Sequence, residues 1–434
     1  MHKISAFNIN KEKLFFSGNN FFLIGVFFLP TALPISALFF IVSLIISFYK
    51  KNNFSLKDKW NYPFYISIGL IIFSCINILF INKSEFLMDY DYSLIWLNLF
   101  NWIPFVILFC GLQSYLATNI QRIKFAKFFV SGTIPVLFSF ISQKFFNWYG
   151  PYETFYGLII WFQKPTLANY PNAGLFSNPN YAGMWLALVL PFSIYLFQQS
   201  RNYSKSKIIT FLISILITYS IFLTFSRNAF LGILITLFIL FGFRKLFYSL
   251  IIFLSMLLLD SFVTPLKNLL LPINSLSLSI VDKFMQFNFF SAPRIEIWKS
   301  ALSRIYERPL WGWGPSTFEQ LHIKNNNTLE IPKRFVEANH SHNMPLELAH
   351  NFGIPLALIL VFTIIFLFIF SCKKIYFEYV DTGINRVNKT WFASSLIVLS
   401  SHLTDITYYD GKISILISIL FAGLRCIINE KSIK

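Results

Sequence analysis

The sequence predicts an all-α polytopic membrane protein of about twelve transmembrane helices, with a large outer loop carrying short amphipathic helices. Three observations predict it. Of 434 residues, 56% are hydrophobic and 13% charged, about half the charge of a soluble domain. Mean hydropathy is +0.60. The apolar residues fall into runs near the ~20 residues that cross a bilayer, with short basic clusters between them. The chain therefore reads as one integral membrane domain, 1–434.

The runs lie at about 14–30, 34–49, 62–81, 94–116, 123–142, 178–199, 207–225, 228–243, 246–262, 345–371, 391–406 and 412–428. Pro30 and Pro34 separate the first two. With the N-terminus inside, every inner segment is basic, from Lys3, Lys11 and Lys13 to Arg425, Lys431 and Lys434. The short outer loops hold only Lys83, Lys144, Lys164, Arg227 and Lys412. Positive residues mark the cytoplasmic side, so both termini are expected there. The N-terminal run lacks a small-residue cleavage site and reads as an uncleaved anchor. The net charge of +17 belongs to this pattern and predicts membrane lipid, not nucleic acid, as its partner. Cys75, Cys110, Cys372 and Cys426 fall in or at the ends of apolar runs, with no CxxC; neither a disulfide nor structural zinc is expected.

Two outer loops are long. Residues 143–177 are rich in Tyr, Trp, Asn and Pro, and residues 263–344 separate the ninth and tenth spans. In the second, Ser291 and Pro293 read as a helix start. Ile295, Trp298, Leu302 and Ile305 follow at helical spacing, predicting an amphipathic helix from Arg294 to Glu307 lying on the membrane. Arg294, Arg304 and Arg308 fall within about 80° of one another on its wheel. Arg294 and Arg308 would be about 21 Å apart, too far to grip one phosphate. WGWG at 311–314 is a tight turn, not a dinucleotide fingerprint.

Chemistry-bearing residues gather at the outer edge. Arg227, in TFSRNAF, is the sole cation in a very short turn, and a guanidinium fork suits phosphate oxygens; the bland reading is an interfacial Arg whose stem lies along lipid. HSHNMPLELAHNFGIPL, residues 340–356, brings three histidines to a span edge, where ionisable groups are costly. If 343–356 is one helix, His342 and His350 lie about 12 Å apart, so no metal is expected there. One histidine at this boundary suits proton transfer, because imidazole titrates near neutrality; His340 and His350 read as ordinary polar contacts. Asp89 and Asp91 read as a solvated loop. Asp405 sits near an outer helix end and could orient a partner.

His342-Asn343, nine residues and then Gly353 resemble the end of the large periplasmic loop in the O-antigen ligase and O-antigen polymerase superfamily. S-R-N-A at 226–229, R-x-x-x-W at 294–298, P-x-x-G-x-G at 309–314 and FSNPNYAG at 176–183 are similar to that family too. The likeness spans about 170–425. Ligases usually carry a second glycine where this chain has Leu356. The segment 402–411 resembles cyanobacterial relatives once proposed as inorganic-carbon transporters.

The resemblance implies a glycosyltransferase in the bacterial inner membrane, its site facing the periplasm. It would move a saccharide from an undecaprenyl-pyrophosphate carrier to a hydroxyl of lipid A core (ligase) or of another glycan (polymerase). Neither a metal nor another cofactor is implied. His342 would serve as base, Arg227 and Arg294 would meet the pyrophosphate, and Asn343, Glu347, Arg308 and Asp405 would support them. Asn343 and Glu347 are expected to set the His342 tautomer. A transporter, the competing class, would need polar residues through the middle of several spans; few are apparent.

Overall fold

The computed structural model describes residues 11–49, 58–80, 93–165, 171–243, 292–326, 338–378 and 383–430. Among these the chain forms fourteen helices and one small hairpin. The helices are α1 (Lys11–Phe28), α2 (Leu33–Tyr49), α3 (Tyr62–Asn77), α4 (Ser93–Gly111), α5 (Asn119–Phe146), α6 (Pro179–Gln199) and α7 (Lys205–Thr224). They continue as α8 (Arg227–Phe241), α9 (Ala292–Glu307), α10 (Phe318–Asn326), α11 (Met344–Phe352), α12 (Ile354–Lys373), α13 (Gly383–Ser401) and α14 (Gly411–Asn429). Six apolar stretches are long enough to cross a membrane: Tyr62–Phe80, Asn119–Phe146, Pro179–Gln199, Lys205–Thr224, Ile354–Glu378 and Gly411–Asn429. Shorter apolar helices occupy Ser17–Phe28, Leu33–Tyr49, Leu99–Gly111 and Arg227–Phe241. The expected ninth span, 246–262, and the pair Asp89 and Asp91 lie outside the described residues.

Local chemistry fixes several helix starts. Thr118 and Gln121 form a reciprocal capping box at α5, which satisfies two orphan N–H groups and starts the helix four residues before its apolar run. Asn178 caps α6 ahead of Pro179, Ser204 caps α7 and Asp410 caps α14. The bundle packs around α6, whose residues Ala182 to Phe192 are buried without interruption. Small residues let α8 approach it closely. A Cβ on Gly232 would stand 2.8 Å from the Ala187 Cβ, so glycine sets this crossing. On α12, Leu358, Phe362, Phe366 and Ile369 are exposed at three- and four-residue spacing, which is the stripe a lipid-facing helix presents.

Two expectations need correction. The run 345–371 is not one helix; it breaks at Gly353, leaving the short α11 before α12. The run 391–406 is helical from Gly383 to Ser401, which carries the buried Asn385 and Asn388 and leaves Asp405 in the following turn. Within the outer loop 143–177, Tyr152–Thr154 (β1) and Ile159–Trp161 (β2) pair antiparallel, with a turn through Gly157 at φ 81.

The two ends of the bundle differ. At one end Arg122, fully buried, pairs with Glu430 at 2.5 Å, and Arg425 pairs with Asp58. At the other end meet the break between α11 and α12, the hairpin, the starts of α6, α8 and α14, and the loop 402–410.

Candidate functional site

The break at Gly353 organises this end. Gly353 has φ 90, and a Cβ there would lie 2.1 Å from the Leu310 carbonyl oxygen, so both the conformation and the space demand glycine. The turn 309–314 wraps the break. Ile354 N–H donates to the Pro309 carbonyl at 2.7 Å, Trp313 N–H to His350 at 2.8 Å and Gly314 N–H to Asn351 at 2.9 Å. Ser74 of α3 donates its hydroxyl to the Trp311 carbonyl at 2.5 Å. WGWG is thus a brace that hydrogen-bonds the peptide groups freed where the helix stops.

The brace fixes α11, and α11 fixes the loop before it. Asn343 caps α11, its Oδ1 accepting from Leu346 N–H at 3.1 Å. Its Nδ2 donates to the Leu403 carbonyl at 2.9 Å, and Met344 N–H donates to the His402 carbonyl at 2.9 Å. Glu347 is buried; it accepts from Ser341 N–H at 2.9 Å, Asn351 Nδ2 at 3.1 Å and the Tyr409 hydroxyl at 2.8 Å. Neither residue touches the His342 ring. Both were expected to set its tautomer, and instead they shape the backbone that carries it. His342 has φ 53, a conformation that costs a non-glycine residue energy and persists where its surroundings dictate it.

The group that meets His342 is Asp405. Its Oδ1 stands 3.0 Å from His342 Nδ1 and also accepts from Ile406 N–H at 2.9 Å. Burial alone would raise the Asp405 carboxyl. The hydrogen bond from His342 and the charges of His342, His340 and Arg294 together outweigh burial and hold the group below its ordinary value. An ionised carboxylate only accepts, so Nδ1 of His342 is the donor in this pair, which in the neutral ring leaves the lone pair on Nε2. His340 stacks edge-on against His342 with ring centroids 4.2 Å apart, and its Nδ1 accepts from His342 N–H at 3.2 Å. Burial, then the neighbouring His342, push the His340 imidazole below its ordinary value.

Arg227, at the start of α8, and Arg294, in the first turn of α9, line one pocket together with Asp405, Asn180, Ser226 and Asn228. Thr404 donates its hydroxyl to Asn228 Oδ1 at 2.9 Å, which ties the start of α8 to the loop bearing Asp405. Two cations more than sixty residues apart thus meet at the carboxylate that holds His342. Arg308 does not join them. Its guanidinium lies 4.7 Å from the Trp313 ring centroid, so it packs on the brace. Arg304 is buried and pairs with Glu307 at 2.9 Å. The face of α9 also differs from the expected one. Ile297, Ala301 and Ile305 are buried, Ile297 and Ala301 beside Phe318 and Ala338, while Ile295 and Leu302 are exposed. The helix lays its buried stripe on protein.

Two residues of this site were not legible as site residues. Asn180 and Asn228 sit inside the family-like stretches, but no spacing rule singles them out. His340, read as a bland contact, joins the centre; its partner Tyr409 carried no signal. His350 is fully buried and bonded to Asn351 at 3.0 Å, away from the others. A metal was excluded on the distance from His342 to His350. The structure offers a different set, because ligand atoms of His340, His342 and Asp405 all lie within 4.8 Å of one another. The guanidinium groups of Arg227 and Arg294 beside them oppose a divalent cation.

Fold and site together define a helical membrane protein whose polar chemistry, two arginines beside a histidine–carboxylate pair, sits at one end of the bundle. Residues 212–361 match the family model described as O-Antigen ligase. That stretch is similar to the O-antigen ligase family and spans about a third of the chain. The match is narrower than the likeness read from the sequence; it contains Arg227, Arg294, His342 and Gly353 but stops before Asp405. No curated protein matches the chain.

Proposed function

We propose that the protein transfers a saccharide from an undecaprenyl-pyrophosphate carrier to a hydroxyl of lipid A core or of another glycan, with inversion and without a metal. The protein spans the bacterial inner membrane twelve times, with both termini cytoplasmic and the site facing the periplasm. One observation carries the reading: Arg227 and Arg294 share a pocket with the carboxylate that holds His342. The acceptor oxygen attacks the anomeric carbon. Its proton passes to His342 Nε2, general base assistance of a kind contributing about 10²–10⁴-fold. The carbon–oxygen bond to the diphosphate breaks, and its electron pair leaves with the diphosphate. Arg227 and Arg294 meet the charge gained there. Asp405 steadies the imidazolium, the division of labour seen wherever a carboxylate backs a histidine base.

The carrier's chain has a place beside this chemistry. An apolar cavity of about 270 Å³, walled by residues such as Phe64, Phe105, Leu360 and Phe421, reaches up to Met344 and Leu403 under the His342 loop. It suits the first isoprene units. The polymerase reading rests on Leu356, which is fully buried where the ligases usually have glycine.

Gene disruption and a gel of surface glycans test the proposal. Long chains missing from the lipid but retained on the carrier mean ligase, and single repeat units capping the lipid mean polymerase. Complementation with His342→Ala should leave either defect in place at a normal membrane level of protein. Full restoration by that variant removes the assignment of His342.

A further inference from the structure

The site end holds a second pocket, of about 310 Å³, whose lining shares no residue with the arginine pocket. Its floor is the start of α14, with Tyr409, Asp410 and Lys412; Tyr181 of α6 forms a wall, and the β1–β2 hairpin from Gly157 to Phe162 forms the roof. We propose that this pocket is the saccharide subsite that receives the acceptor's terminal sugar. The inference rests on the transferase reading above and assigns its acceptor side.

Four observations carry it. The size lies at the lower end of small-molecule sites, about 300–1,000 Å³, which is room for a sugar ring. The lining offers what a sugar needs, flat aromatic faces beside polar groups with unspent hydrogen-bonding capacity. Asp410 spends Oδ1 on the N–H groups of Lys412 and Ile413, at 3.0 and 3.2 Å. Among the described residues, no hydrogen bond reaches its Oδ2 or leaves Lys412 Nζ. That ammonium stands over the Phe176 ring at 4.6 Å, beside the Asp410 carboxylate at the pocket.

The roof is anchored. Trp161 Nε1 donates to the Thr31 carbonyl at 2.8 Å, and Gly150 N–H donates to Gln163 at 2.9 Å. Phe155 and Tyr156 are exposed at the turn, where further sugars of a chain would emerge and stack. Last, the two pockets are joined through the reacting centre. The Tyr409 ring lies 5.9 Å from His340, which lies 4.2 Å from His342, which bonds Asp405 at the arginine pocket. Tyr181 is within electrostatic reach of both Asp410 and Asp405. A sugar seated on Tyr409 therefore lies two aromatic rings from His342, and the arginine pocket lies at the carboxylate bonded to that same histidine.

The test uses membranes of the disruption strain carrying the full-length protein. The donor is lipid-linked glycan extracted from that strain, and the acceptor probe is the short surface glycolipid purified from it, or its lipid-linked single repeat. Lys412→Met keeps the stem over Phe176 and removes the donor group. It should raise the acceptor KM about tenfold or more and leave the donor KM and the maximal rate within about twofold of wild type. An unchanged acceptor KM overturns the proposal, and a raised donor KM moves the pocket to the donor's glycan. A second measurement needs no turnover. Cys75, Cys110 and Cys426 are buried, so in a Cys372→Ser background Ser177→Cys, at the pocket wall, can be labelled alone with a polar thiol reagent. The acceptor probe should slow labelling and the donor should not. Absence of protection refutes the subsite even where transfer is normal, whereas absence of transfer in the wild-type protein refutes the transferase reading itself.

Discussion

Asp405→Asn isolates the interaction at the centre of the proposed chemistry. The amide has the shape of the carboxylate and can still accept from Ile406 N–H, so the loop 402–410 should keep its course. What it loses is the charge 3.0 Å from His342 Nδ1. A hydrogen bond to an ionised acceptor contributes about 1.5–3 kcal/mol net, and Asp405 is nearly enclosed, so solvent screens it weakly. That contribution is largest once the ring has taken the acceptor's proton, because only then do two full charges face each other. The loss therefore falls on the rate and not on binding. At about 1.4 kcal/mol per tenfold, kcat should drop about 10- to 150-fold, with the donor KM within about twofold. The assay is initial-rate glycan transfer in membranes matched for protein level, with His342→Ala and the double variant alongside. The two losses should be strongly non-additive, since each removes the same pair. A rate for Asp405→Asn within twofold of wild type, or a double variant showing the full sum of both losses, would refute the assignment of Asp405 as the group that orients and charges His342.

Three other outcomes follow from the same geometry. Removing either Arg227 or Arg294 by alanine should lower kcat by about 10²–10³-fold, and Arg294→Lys should recover part of it, since lysine keeps the charge without the fork; equal rates for Arg294→Ala and wild type refute the shared pocket as a diphosphate site. Gly353→Ala forces a Cβ onto the Leu310 carbonyl in a conformation that alone costs about 1–3 kcal/mol, so the melting temperature of the detergent-solubilised protein should fall clearly, while Leu356→Gly, in the first turn of α12, empties a fully buried position and should cost stability too. Prolonged chelation with EDTA should leave the transfer rate unchanged, and added Zn²⁺ should not raise it; a rate lost on chelation and restored by a divalent ion would assign His340, His342 and Asp405 to a metal.

The sequence by itself determined the class and most of the helices. Apolar runs of bilayer length can bury their backbone polar groups only as helices, and caps such as Thr118, Asn178 and Asp410 act within a few residues of themselves. Arg227, Arg294 and His342 were legible because a cation or imidazole at a span edge is costly and stands out from its apolar neighbours. The tertiary structure decided which of these groups meet. Asp405 contacts His342 across sixty-three positions, Arg308 turns to Trp313 while Arg294 reaches the pocket, and the 345–371 run breaks because the turn 309–314 closes on Gly353. Each outcome depends on contacts between segments far apart in the chain, and helical periodicity describes only how a segment faces itself.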